Sequence, residues 1–284
     1  MHEPTEAHSD TPADPTGIGS EASFIKRLFG LLLFRLLRLE TDRGRLQGHF
    51  VESLLKQLLT VDTPRGPLSY VAMGKDPAQR VASVLTKQPE TIAWIETFGP
   101  DSVFWDIGAN VGVFTLYAAL RRDVKVVAIE PAAVNYYALA ANCEANHFEH
   151  RVECLLLALG RRRGLGHVEM TQFVPGKSFS LLGKRDRPYE SRQAALVLSI
   201  DELVDDFGLP CPHHLKIDVP GVTEDIVHGA ERTLARPEVR SIHMEVQSTS
   251  TGGRRIIPYL EQLGFVAAGP TGKGSGTNLT FVRR

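Results

Sequence analysis

Cysteine is scarce. The three present, Cys143, Cys154 and Cys211, are odd in number and form no CxxC pair. That count argues against a disulfide framework and a zinc knuckle, predicts no metal site, and suits the reducing cytosol. Charge of one sign is also missing: 32 Lys and Arg stand against 33 Asp and Glu. A balance this close gives no long-range attraction for nucleic acid, so nucleic acid is not an expected partner. No apolar run reaches the ~20 residues of a membrane-spanning helix. The opening residues are acidic and polar, without the basic start of a signal peptide, which again predicts a cytoplasmic protein. Internal repeats are absent.

What is there is a chain of 284 residues, 43% apolar, able to bury a proper core. Residues 1–22 read as a disordered tail, rich in Pro, Thr, Asp, Glu and Gly. Residues 23–100 read as a helical extension with one short strand segment, and 101–284 as the main domain. Within the extension, FIKRLFGLLLFRLLRL (residues 24–39) puts Ile25, Leu28, Phe29, Leu32, Leu33, Leu36 and Leu39 on one helical face and four basic residues on the other. Such a face packs on the domain or a partner chain, or lies peripherally on the inner, anionic face of a membrane. The helical stretch is expected to run to about Thr60. A strand follows at Leu68–Met73, then helical periodicity from Pro77 to Phe98 that Pro89 divides.

From residue 103 strand and helix alternate. VFWDI, VKVVAIE, RVECLLLAL, HLKIDV and VRSIHMEV are strands, each followed by helical periodicity except the third, after which come extra strands at GHVEM and ALVLSI. Repeated βαβ units demand a parallel sheet with helices on both faces. GFVAAG and NLTFVRR, joined by a Gly-rich turn, imply a closing antiparallel pair. The expected fold is therefore α/β: a Rossmann-like, mostly parallel seven-stranded sheet with one antiparallel strand near its end, the layout of class I methyltransferases.

The most informative segment is FWDIGANVGVF, residues 104–114. An apolar strand ends in Asp106, then come Gly108, Ala109, Asn110 and Gly112, then a helix. A strand-to-helix turn at the carboxyl edge of a parallel sheet is where ligands bind in this architecture. A dinucleotide site uses GxGxxG and aims a helix N-terminus at pyrophosphate. Here the spacing is GxxxG and a carboxylate precedes it. S-adenosylmethionine, which carries an ammonium and a sulfonium but no phosphate, suits that turn better. One βα unit later the strand ends in Ile129-Glu130-Pro131, and a carboxylate there can accept from both ribose hydroxyls.

DIGANVGVF, AIEP, LAANCEAN, ALG, SIDEL, LKIDVPG and VHGAERTL occur in the order seen in FkbM-type methyltransferases, and from about Val103 to Val246 the chain resembles that family. The resemblance implies an S-adenosylmethionine-dependent O-methyltransferase acting on a hydroxyl of a sugar, glycan or polyketide-like natural product. It implies that Asp106, Gly108, Ala109, Asn110, Gly112, Glu130 and Pro131 line the cofactor, with Ala158 and Leu159 near the adenine. Asn142 and Asn146 match polar family positions, and equally suit a helix surface and a helix C-cap.

The fourth strand carries the candidates that face the chemistry. Lys216 and Asp218 alternate with apolar residues and share one side of the sheet, so they form either an ion pair or part of the site. Asp218 lies at the strand tip. Glu245, near the tip of the fifth strand, matches an acidic family position, and His243 shares its parity. An aliphatic hydroxyl is a poor nucleophile and needs a base as it attacks; Asp218 is the first candidate and Glu245 the second. Ser178, Phe179 and Ser180 are expected acceptor contacts within a polar segment, 164–193. His213 and His214, adjacent in a strand, point to opposite faces and make a poor ligand pair.

The chain also departs from its family. Where the pattern has Asp-Val-Glu-Gly-x-Glu or a close variant, this sequence has Asp218-Val219-Pro220-Gly221-Val222-Thr223, losing both later acids. Glu224 comes one residue late, turned by about 100° on a helix. That loss keeps two alternatives in view: a catalytically silent cofactor-fold subunit, and a methyltransferase acting on nitrogen or on a macromolecule.

Overall fold

The computed structural model describes residues 58–71, 88–177, 179–181, 189–219, 221–246, 251–271 and 277–284. The helix expected over residues 24–39 and the tail at 1–22 lie outside them. Among the described residues no helix is long and apolar enough to cross a membrane.

The described chain opens with an antiparallel hairpin of β1 (Leu58–Thr63) and β2 (Gly66–Val71). Strand pairing therefore begins at Leu58, two residues inside the stretch expected to be helical. Helix α1 (Pro89–Glu96) has Pro89 in its first turn, where a missing N–H costs nothing, so this proline begins a helix. Then come β3 (Ser102–Ile107), α2 (Val113–Ala119), β4 (Val124–Ile129), α3 (Ala133–Ala145) and β5 (Val152–Leu155). All six residues of β3 are buried, as a parallel strand with both faces covered requires.

The next segment departs from expectation. RVECLLLAL is not one strand: β5 ends at Leu155, and β6 (Ala158–Leu159) pairs instead in a separate sheet. That four-stranded sheet has the order β6-β9-β7-β8, with β7 (Gly164–Met170), β8 (Phe179–Leu181) and β9 (Ser191–Leu198). It contains the extra strands at GHVEM and ALVLSI. Helix α4 (Ile200–Asp205) follows with a capping box, Ser199 and Glu202 bonding each other's backbone.

After β10 (His214–Ile217), the expected helix from 224 to 234 is two: α5 (Thr223–His228) and α6 (Glu231–Ala235). The break falls at Gly229, where a Cβ would overlap the Gly160 carbonyl oxygen. The HGA motif thus serves a close backbone approach between α5 and the strand-end at Gly160. Asp201 accepts from the Arg232 and Thr233 amides of α6 and from the Thr233 hydroxyl, so SIDEL and HGAERT form one structural unit. The chain ends with β11 (Ser241–Val246), α7 (Thr251–Gln262), β12 (Phe265–Thr271) and β13 (Thr277–Arg283).

The main sheet runs β12-β13-β11-β10-β3-β4-β5, and β13 is antiparallel to both its neighbours while the rest are parallel. This is the expected seven-stranded layout with one reversed strand. Each face carries its own core. Phe104, Val126 and Ala128 pack with Tyr70, Ile95, Leu116 and Leu139 on one side, and Trp105, Ile107, Leu215 and Ile242 pack with Leu203, Ile226 and Leu260 on the other. Strand order reverses between β3 and β10, which makes their carboxyl ends the crevice where a ligand can enter.

Candidate active site

The turn after β3 is built around left-handed backbone: φ is +80° at Gly108, +54° at Asn110 and +87° at Gly112. The Gly108 and Ala109 amides both donate to the Ile129 carbonyl, at 2.9 and 3.1 Å, locking the turn onto the end of β4. A Cβ on Gly108 would overlap the Asp218 carbonyl oxygen, so glycine is what lets the ends of β3 and β10 touch. Gly112 has a different reason: a Cβ there would run into Leu139 and Leu116, so it permits α2 to close on α3.

Glu130 is fully buried beneath this turn. Its carboxylate accepts from the Asn110 amide at 2.8 Å, the Ala132 amide at 2.9 Å and Asn135 Nδ2 at 3.3 Å. Burial pushes its pKa up to about 7; the three donors pull the other way, and Asp106 adds to the rise. Pro131 is held by Gln193 of β9, which donates to its carbonyl at 2.7 Å while accepting from the Ala133 amide. Ala158 and Leu159, both buried, lie in the short strand just past the end of β5.

Beneath the crevice a file of polar side chains crosses the sheet. Asp106, Lys216, His243 and Thr280 are register partners on β3, β10, β11 and β13. Asp106 accepts from the Thr115 hydroxyl at 2.7 Å and from Lys216 Nζ at 3.3 Å. Lys216 Nζ reaches Asp218 Oδ2, also at 3.3 Å, and sits 5.0 Å from the centre of the Phe114 ring. Burial disfavours its charge, but Asp106 and Asp218 outweigh burial and hold its pKa above the ordinary lysine value. Of the two readings of Lys216 and Asp218, the ion pair is present. His243 bonds Thr91 through Nε2 at 3.0 Å and Thr280 through Nδ1 at 2.9 Å, and stacks on Trp94. Burial, then the Lys216 charge, lowers its pKa to about 4, so it is neutral at pH 7.

One tier higher, at the strand tips, Asp218 and Glu245 face the crevice. The Asp218 side chain is 38% exposed, whereas its partners Lys216 and Asp106 are closed to solvent. Partial burial and the nearby Asp218 charge raise the Glu245 pKa. Asn278, opposite Glu245 in the register, donates to Glu90 on α1 at 3.1 Å. Thr91, Glu90, Asn278 and Asn135 were missed in the sequence. Strand parity with His243 and Glu245 could have flagged Thr280 and Asn278, but nothing local marks the other three.

The remaining candidates fall elsewhere. Ser178 lies outside the described residues, and Phe179 and Ser180 belong to β8. His213, just before β10, accepts from the Val103 amide, while His214, its first residue, bonds Ser241 and stacks on Phe98, so the two have different partners. Asn142 and Asn146 both bond backbone: Asn142 takes the Val71 amide and donates to the Val111 carbonyl within the turn, and Asn146 clasps Ser69.

A model of the FkbM methyltransferase domain matches residues 106–267, more than half the chain, spanning the turn after β3, the polar file from Asp106 to His243 and both rim acids. The chain belongs to the FkbM methyltransferase family. Among similar proteins, the AMB antimetabolite synthetase AmbE of Pseudomonas aeruginosa is 33% identical over 190 residues, 54% of this chain and 9% of that protein. The methyltransferase sdnD of Sordaria araneosa is 31% identical over 126 residues, 43% of this chain and 47% of that one. The chain thus spans less than half the length of either relative. A precorrin-6y C5,15-methyltransferase structure from Geobacter metallireducens covers 76% of this chain and all of its own, at 15% identity and a TM-score of 0.44.

The cofactor of this FkbM chain is S-adenosylmethionine, and the residues present fit it. Gly108 lets the turn lie against the Asp218 backbone, which brings the ends of β3 and β10 together at the crevice. A buried carboxylate, Glu130, is a group able to accept from hydroxyls such as a ribose carries, and the partly exposed carboxylates of Asp218 and Glu245 have the sign that a cationic group requires. No phosphate-binding GxGxxG is present to favour a dinucleotide.

Proposed function

We propose that the chain is an O-methyltransferase acting on a hydroxyl of a sugar, glycan or polyketide-like natural product. The observation that carries this is Asp218: a half-exposed carboxylate, held by a buried lysine, at the tip of the strand that touches the cofactor turn. S-adenosylmethionine supplies an electrophilic methyl on sulfur, and an aliphatic hydroxyl attacking it must lose its proton. Asp218 accepts that proton, and Lys216 fixes the carboxylate so that it needs no reorientation. Glu245, across the rim, bonds the acceptor or takes the proton in its place. The crevice between β3 and β10 brings acceptor and methyl together, which is the larger part of the rate for an in-line displacement. The antimetabolite synthetase relative supports an acceptor from secondary biosynthesis. In this chain Glu245 and Asp218 make up the rim's acid pair despite Pro220 and Thr223.

The test is turnover with 13C-methyl-labelled S-adenosylmethionine on a panel of sugars, oligosaccharides and polyhydroxylated polyketides, with matched amines. Methoxy products distinguish this reading by carbon chemical shift. Methylation of the amines alone would sink it.

A further inference from the structure

The sequence gives no hint that the buried carboxylate at Glu130 is closed over by the chain itself. The seven residues after β7, Thr171–Lys177, cross above it. The Lys177 carbonyl accepts from two side-chain amides, Asn110 Nδ2 and Asn135 Nδ2, each at 3.2 Å. The Gly176 amide donates back to Asn135 Oδ1 at 2.9 Å, with Gly176 in left-handed backbone at φ +83°. Asn135 is 1% exposed, and its same Nδ2 also reaches Glu130. One side chain therefore grips the ribose acceptor with one donor and the overlying strap with both its ends. The two donors that converge on Lys177 belong to the turn after β3 and to the helix that follows Glu130, and both residues also donate to the Glu130 carboxylate.

We propose that Asn135 is a cofactor-positioning residue and that the Gly176–Lys177 peptide is its latch, standing in for a ribose hydroxyl. On binding, the cofactor displaces the Lys177 carbonyl, and Asn110 and Asn135 exchange one oxygen acceptor for another. The two Asn donors keep an acceptor in that exchange and the released Lys177 carbonyl turns to water, which keeps entry cheap. The strap leaves from β7, so cofactor entry is coupled to the small sheet. This rests on the assignment of Glu130 to the ribose.

Calorimetry with S-adenosylmethionine on the full chain tests both layers. Asn135→Ala is expected to weaken cofactor binding roughly tenfold, the upper end for one lost neutral hydrogen bond. It also removes a donor that holds the Glu130 carboxylate ionised, against burial and against Asp106, the charged group that acts on it from β3. The pH midpoint of cofactor affinity therefore moves upward in Asn135→Ala, a shift that a purely structural role would not produce. Gly176→Pro removes the N–H that Asn135 accepts from and cannot adopt positive φ, so the latch opens and the cofactor on-rate rises severalfold. Wild-type affinity and an unshifted pH midpoint in Asn135→Ala overturn the proposal, as does an unchanged on-rate in a folded Gly176→Pro. If Gly176→Pro fails to fold, Asn135→Ala decides alone. Glu130→Gln separates the layers: if it binds cofactor normally, the ribose assignment fails. If it weakens binding while Asn135→Ala does not, only the latch fails.

Discussion

Lys216 and Asp106 meet inside the sheet, Nζ to Oδ1 at 3.3 Å, with side chains 4% and 0% exposed. Neither can be rehydrated by a small movement. Lys216→Met leaves Asp106 buried with only the Thr115 hydroxyl, and breaking a buried pair from one side costs about 3–5 kcal/mol. Urea unfolding should show that loss, and Asp106→Asn added to Lys216→Met should restore most of it. Additive losses would mean that the pair is not the unit of stability.

Asp218→Asn keeps the shape of the rim while removing its basicity. Cofactor affinity is expected to hold and methyl transfer to fall by roughly 10²–10⁴, the range for a positioned general base. Single-turnover assays with saturating cofactor read this directly. Intact turnover would pass the proton to Glu245, and Asp218→Asn/Glu245→Gln would then be the silent variant.

The pKa of Glu130, about 7 against an ordinary 4.5, has two consequences of opposite sign. Burial makes the folded state hold its proton more tightly than the unfolded chain. This contribution to stability is therefore whole below about 4.5 and lost as pH climbs through about 7. Cofactor affinity runs the other way, rising towards pH 7 as the acceptor carboxylate forms and levelling off above it. Calorimetry from pH 5.5 to 8.5 should show that rise, and Glu130→Gln should flatten it. Loss of the carboxylate altogether in Glu130→Ala should weaken binding by ~1–3 kcal/mol.

Gly229→Ala places a methyl against the Gly160 carbonyl and near Ser199. The obstacle is backbone, which cannot swing aside, so the cost is expected near ~1–3 kcal/mol, as for overpacking. A thermal melt reads it. An unchanged melting temperature would show that α5 is free to shift away from Gly160.

The fold was legible because its signals are local and repeated. Strands alternating with helices, such as Ser102–Ile107 and Val124–Ile129, read as parallel, and the two closing strands read as antiparallel from the short link alone. The strand-to-helix turn at residues 108–112 was legible for the same reason, its glycines being contiguous with the strand and the helix. The small sheet was not, because Leu156 and Leu157 continue an apolar run through the point where the chain changes sheets. Nor could Thr91 or Asn135 be found: one lies 152 residues from its histidine, and the other is a helix residue whose partners sit on a later loop. Polar side chains that serve distant partners leave no periodicity in the sequence.

The clasp of Asn142 and Asn146 on β2 has a consequence for the free chain. Four residues of helix rise ~6 Å. Two residues of strand rise ~6.6 Å. Two amides one helical turn apart can therefore occupy successive outward positions of a strand, here Ser69 and Val71. The helix imitates a third strand with side chains. An edge that would otherwise offer its N–H and C=O groups to any passing chain is thereby spoken for, and a short hairpin can stand beside the catalytic crevice without recruiting a neighbour.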